Sequence, residues 1–115
     1  ELNYQRYYVN GKGLYEKNCQ NCHGTNGEGL GKLYPPLTDT VFLSKNRSSL
    51  ACIIKNGLTG KITVNNVSYE TEMTGNTNLA DIDIAQIIVY ITNSFGNRQG
   101  FYDQKQARVD LKGCE

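Results

Sequence analysis

Cys19-Gln20-Asn21-Cys22-His23 sets two thiols three residues apart, with an imidazole directly after the second. On a helical turn, residues three apart share one side. Both thiols can then add to the two vinyl groups along one edge of a haem, and the next residue is carried under the ring, where its imidazole reaches the iron. The spacing predicts covalent attachment of haem c through Cys19 and Cys22, with His23 as an iron ligand. Covalent attachment also keeps such a group in a chain too small to enclose it fully. Two other readings of C-x-x-C compete. A redox disulfide calls for a βαβ context, and strand signal is sparse here. Half of a zinc site, completed by Cys52 or Cys114, calls for a second paired-ligand knuckle, which the sequence lacks.

A six-coordinate haem that moves electrons needs a second axial ligand, commonly Met or His. His23 is the one histidine of the chain and Met73 the one methionine. Met73 stands in the polar run Tyr69-Glu70-Thr71-Glu72-Met73-Thr74-Gly75. A methionine that merely fills a core would fall on an apolar helical face. Met73 is therefore the candidate sixth ligand, and the metal ligands read from sequence are His23 and Met73.

The bulk composition is consistent with this. The chain has 115 residues, the length of one domain, and a formal net charge of +1. That balance excludes a nucleic-acid binder driven by bulk positive charge. The longest apolar stretch, around Ile82–Ile91, is interrupted by polar residues, so no transmembrane segment is expected in this chain. Hydrophobic residues make up 38% and mean hydropathy is -0.52, a thin core that a large apolar prosthetic group would supplement. The sequence opens on Glu1, which points to a removed targeting segment or an excised piece, and leaves room for a membrane tether upstream. Four cysteines are many for a cytosolic protein of this length.

Residues 1–9 are polar and Tyr-rich and read as a lead-in strand or arm. A first helix is predicted from about Asn10 to Cys19, with Asn10 as cap. Gly24–Gly31 is a loop with four glycines, followed by the stiff Tyr34-Pro35-Pro36-Leu37. A second helix is predicted over Arg47–Asn56, capped by Asn46 and stopped by Gly57, with Leu50, Ile53 and Ile54 on one face. Ile62-Thr63-Val64 and Val67-Ser68-Tyr69 flank Asn65-Asn66 and read as a small hairpin. The clearest helix is Asp81–Phe95, where Ile84, Ile87, Ile88, Ile91 and Phe95 form one apolar stripe. Asp103 with Gln106 has the pattern of a capping box for a short tail helix closed by Gly113.

This order of features resembles class I cytochrome c, in particular its bacterial monohaem members, over about Asn10–Asn97. The resemblance rests on Gly11 and Tyr15 of the first helix, Cys19–Gly24, the loop into Tyr34-Pro35-Pro36-Leu37, Asn56-Gly57-Leu58, Gly60, Met73 and the helix ending Tyr90–Asn97. It implies an all-α fold, with helices wrapped round a covalently bound haem and a minor β-hairpin. Gly11 and Tyr15 would pack against Ile87 and Tyr90 where the first and last helices cross. The Pro35 carbonyl would accept a hydrogen bond from the second imidazole nitrogen of His23, and Leu37 would pack on the haem face. The domain is expected over residues 10–97, with 1–9 as an arm and 98–115 as an extension packed on it. Three departures stand out. Thr74 follows Met73 where the family often has Pro, which predicts a more mobile loop. Ala80 occupies an N-cap position, so Asp81 is expected to take over capping. The tail exceeds the family minimum.

Haem attachment of this type is made outside the cytoplasm, where disulfides persist. Cys52 and Cys114 are therefore expected to bond, pinning the tail, with two free buried thiols as the alternative. Closing so long a loop is worth roughly 4 kcal/mol in the chain-entropy model, an upper figure. Gly27-Glu28-Gly29-Leu30-Gly31-Lys32 superficially resembles a phosphate loop, but Asn26 and Leu33 break the Walker spacing. No Ser-His-Asp arrangement is available, because the one histidine is already assigned. Between Gly29 and Asn66, five basic residues (Lys32, Lys45, Arg47, Lys55, Lys61) face only Asp39; between Val67 and Asn93, Glu70, Glu72, Asp81 and Asp83 face no basic residue. Such a dipole can orient an exposed haem edge toward a partner, although an ordinary solvated surface explains it equally well.

The sequence thus predicts a non-enzymatic electron carrier, monomeric and periplasmic or otherwise extracytoplasmic, with redox protein donors and acceptors. Its rivals are a tethered domain or subunit of a larger redox enzyme, a haem sensor or catalyst with an open sixth position, and a colourless zinc or disulfide module.

Overall fold

The computed structural model describes residues 1–38 and 41–114. Helix α1 spans Leu2–Asn18. Tyr4, Tyr7, Tyr8, Gly11 and Tyr15 recur at the three- and four-residue spacing of one helical face. The Glu1 carboxylate caps it by accepting from the backbone N–H groups of Asn3 (3.0 Å) and Tyr4 (3.2 Å). Residues 1–9, expected as an arm or strand, are therefore helix from Leu2 onward. The tyrosines favour this by packing onward, Tyr4 and Tyr7 against Phe101 and Tyr8 and Tyr15 against Tyr90.

Chain order continues with α2 (Gln20–His23), α3 (Val41–Lys45), a 3-10 turn at Arg47–Ser49 and α4 (Leu50–Asn56). The expected second helix is thus a 3-10 turn leading into an α-helix. Gly57 stops it, its φ of 83° lying in the left-handed region that glycine enters without steric cost. Strands β1 (Gly57–Leu58), β2 (Ile62–Val64), β3 (Val67–Tyr69) and β4 (Met73–Thr74) follow. β2 and β3 form the expected hairpin, Val64 opposite Val67, and Asn65 and Asn66 both take positive φ, as a type I′ turn requires. The pair β1–β4 has no counterpart in the sequence reading: Leu58 lies opposite Met73 and Gly57 opposite Thr74. Thr74, which stands where the family often has Pro, is thus paired with Gly57.

Helix α5 spans Asp81–Ile91 and buries Ile84, Ile87, Ile88 and Ile91. It ends four residues before the predicted Phe95. Thr92 Oγ1 donates to the Ile88 carbonyl and Asn93 Nδ2 to the Val89 carbonyl, diverting the last turn. Phe95 then adopts φ 58° and turns its ring onto Tyr15 and Tyr90, with centroids 5.5 and 5.6 Å away. At the other end, Asp83, not Asp81, reaches back to the Ala80 N–H at 2.9 Å. Asp81 instead accepts from Arg108 Nε (2.6 Å) and Gln104 Nε2 (2.8 Å). Those donors hold its carboxyl below the ordinary value. Both belong to α6 (Gln104–Lys112), which Asp103 caps through the Gln106 N–H. The Gln106 amide runs forward to Asp110, so only half of the predicted capping box forms.

The core lies where α1 crosses α5. A Cβ at Gly11 would collide with the Gln86 carbonyl and press on Tyr90. The bare backbone permits the close approach that sets Tyr15 tilted against Tyr90 and Tyr8 edge-on to it, with ring centroids 5.3 and 5.1 Å away. The tail packs on the same core through Tyr102 and Ala107, both buried.

Two glycines in α1 give opposite expectations. Gly11→Val should lower stability by roughly 1–3 kcal/mol, because the helices must separate. Gly13→Ala, with open space around it, should raise stability by about 0.5–1 kcal/mol. Urea unfolding of both variants checks this, and equal effects would contradict the crossing geometry.

Candidate haem site

The attachment motif sits at the end of α1. The Cys19 N–H still bonds the Tyr15 carbonyl at 2.8 Å, and His23 closes the short α2 by bonding the Cys19 carbonyl at 3.0 Å. The Tyr15 hydroxyl donates to the Gly24 carbonyl at 2.6 Å, tying the next turn to the α1–α5 core. Two backbone bonds fold the following loop over the motif: Gly29 N–H to the His23 carbonyl and Leu37 N–H to the Gly27 carbonyl, each 2.7 Å.

That fold brings the Pro35 carbonyl to 2.9 Å from His23 Nδ1. A carbonyl only accepts, so Nδ1 carries the proton and Nε2 keeps a free lone pair. His23 is 9% exposed. Burial pushes its pKa below the ordinary value, against the smaller opposing effect of the Pro35 hydrogen bond. The neutral imidazole is the form that binds a metal.

His23 lines a cleft with largely apolar walls. Its wall is formed by Leu37, Leu50, Ile54, Ile87 and Ile91, among others, and also by Tyr15, Cys19, Pro35 and Met73. Apart from Cys19, the polar side chains among these lining residues are His23 and Tyr15, and the Tyr15 hydroxyl is already bonded to Gly24. Cys19, His23, Pro35 and Met73 also line an adjoining chamber that takes in Cys22, Thr71 and Glu72. The cleft therefore has an apolar interior and a polar mouth. Both thiols of the motif are free of disulfides, Cys19 half-buried and Cys22 exposed. Burial, then the nearby Cys22, pushes the Cys19 thiol up to about 11.

The structure thus brings together Cys19, Cys22, His23, Pro35, Leu37 and Met73. Cys52 and Cys114 stand apart from them, joined as a disulfide between α4 and the tail, with Cα atoms 6.0 Å apart. They are not available to complete a zinc site at the motif. Among the described residues, no group of three or more His, Cys, Asp or Glu could hold a metal ion. Asp39, which entered the charge comparison, lies outside the described residues. One positioning residue escaped the sequence reading. Buried Asn97 donates to the carbonyls of Leu37 (2.7 Å) and Ile91 (3.0 Å), fastening the proline loop to the end of α5. An asparagine just after Gly96 looks like ordinary loop sequence, and only the long-range pairing gives it away.

The donor set fits a covalently held haem. It offers two free thiols at the cleft edge, an imidazole with its tautomer fixed, a thioether and an apolar wall. Comparison with known proteins agrees. The family model for cytochrome c matches residues 8–94. Cytochrome c-552 of Thermus thermophilus is 32% identical over 83 residues, covering 69% of this chain and 63% of that protein. A second cytochrome c-552 from the same species is equally similar over 56% of its length, so the chain spans under two thirds of these relatives. The cytochrome c subunit of a quinone alcohol dehydrogenase from Gluconacetobacter polyoxogenes is 31% identical over 93 residues, covering 78% of this chain but 19% of that subunit. The chain belongs to the class I cytochrome c family, whose members carry covalently attached haem c and generally act as electron carriers.

Proposed function

We propose that this chain passes single electrons between redox proteins outside the cytoplasm, using one haem c joined to Cys19 and Cys22 and ligated by His23 and Met73. The observation that carries the reading is the His23 Nδ1–Pro35 contact. It leaves Nε2 unprotonated in a cleft that Met73 also lines. When bound, the haem supplies a ferric–ferrous couple. The chain does the rest. Pro35 fixes the imidazole tautomer and orientation. The apolar wall excludes water from the iron's surroundings and favours the less charged ferrous state. Met73 would supply the iron's second protein ligand and so leave no position open to a substrate. The Cys52–Cys114 bond supports an oxidising compartment.

A second reading has its own support. The dehydrogenase-subunit relative is far longer than this chain, so the same electron-transfer unit can serve inside a larger redox protein. The complete reading frame separates the two. A short signal peptide alone favours a free carrier, while a lipid-anchor cysteine or another domain favours the larger assembly.

Carbon monoxide tests the sixth position. The reduced wild-type spectrum should not change on adding the gas, and Met73→Ala should shift promptly. A wild-type protein that binds the gas as readily as the variant would move the reading to a sensor or catalyst. The disulfide has its own check. The denatured holoprotein should take up no alkylating reagent before reduction and two equivalents after it. Two equivalents before reduction would show free Cys52 and Cys114.

A further inference from the structure

We propose that Asn18 and Asn76 form a clasp that positions Met73 and sets how readily an external ligand displaces it from the iron; this rests on Met73 being the axial ligand. The segment around Met73 has little hydrophobic anchorage. Met73 itself is half-buried, and from Thr71 to Ala80 only Leu79 is buried. Its position is instead set by polar and backbone contacts on either side of the cleft mouth.

On one side is α4. The Asn76 N–H donates to the Ile54 carbonyl at 3.1 Å, and β4 pairs with β1 directly after α4 ends. A Cβ at Gly75 would run into the backbone of Asn56 and Gly57, so the loop lies directly on that end of the helix. On the other side is the last residue of α1. Asn76 Nδ2 donates to Asn18 Oδ1 at 3.1 Å. Asn18 immediately precedes Cys19, so this bond joins the loop carrying Met73 to the segment carrying the haem thiols.

Both amides are held in one orientation. Asn18 Nδ2 donates to the Leu14 carbonyl at 2.9 Å, which leaves its oxygen to accept. Asn76 Oδ1 accepts from the Asn78 N–H at 3.0 Å, which leaves its nitrogen to donate. The clasp therefore has a direction. A carboxylate at position 18 keeps the acceptor for Asn76 while losing the donor to Leu14, whereas a carboxylate at position 76 removes the shared donor and faces the Asn18 oxygen.

An added ligand that must wait for Met73 to leave binds with an affinity scaled by the open fraction. If the clasp breaks on opening, deleting it raises that fraction. The test is an optical titration of the ferric holoprotein with imidazole. Asn18→Ala and Asn76→Ala should each tighten binding about fivefold, the equivalent of ~1 kcal/mol. The double variant should gain less than the two single gains combined, because the bond they share is removed only once. Asn76→Asp should tighten binding at least as much as Asn76→Ala, and Asn18→Asp, which keeps the acceptor, should tighten it less than Asn18→Ala. Met73→Ala sets the open-site limit. If it binds imidazole no more tightly than wild type, axial ligation by Met73 fails and the clasp with it. If it tightens strongly while the asparagine variants all match wild type, the clasp alone is overturned.

Discussion

The contact between Gly11 and the Gln86 carbonyl sets the distance at which α1 crosses α5, and the site is built outward from that crossing. Close approach there packs the Tyr15 ring against Tyr90. The hydroxyl of Tyr15 then holds Gly24, the residue after His23. Through these steps a missing side chain in one helix fixes where an imidazole stands. The opposite wall is tied to the same frame by Asn97, which joins the proline loop to the end of α5, and by Asn76, which joins the Met73 segment to α4 and α1. Close helix packing and a few directed hydrogen bonds therefore position His23 and Met73, while the hydrophobic effect supplies most of the energy.

The thin core of the sequence has a physical counterpart in the cleft. Leu37, Leu50, Ile54, Ile87 and Ile91 face a space that water would otherwise occupy at a cost proportional to apolar area. A covalently held haem completes that core. Such a group would then also be a packing element, and the arrangement of the residues around it would be tied to the folding of the chain. The disulfide adds a restraint at the far side of α4.

The features legible in the sequence are those fixed locally. The spacing of Cys19, Cys22 and His23, the Asn65-Asn66 turn and the isoleucine stripe of α5 each declare themselves within a few residues. The start of α1 differs from the expected arm although its signal is present. Tyr4, Tyr7, Tyr8, Gly11 and Tyr15 mark one helical face, but tyrosine also favours strands and the surrounding residues are polar. The end of α5 depends on Thr92 and Asn93 bonding back to the preceding turn, which competes with apolar periodicity and overrides it at Phe95. The β1–β4 pair and the Asn18–Asn76 bond join residues far apart in the chain, and no local pattern announces such contacts.

The most direct test of the account is the mass of the denatured protein after maturation in a host able to attach haem, read together with its visible absorption. The account predicts the mass of the chain plus one haem, with the colour remaining on the chain in denaturant, and loss of both when Cys19 and Cys22 are replaced by alanine. A colourless chain of unmodified mass, its haem extracted by the denaturant or never acquired, would contradict it.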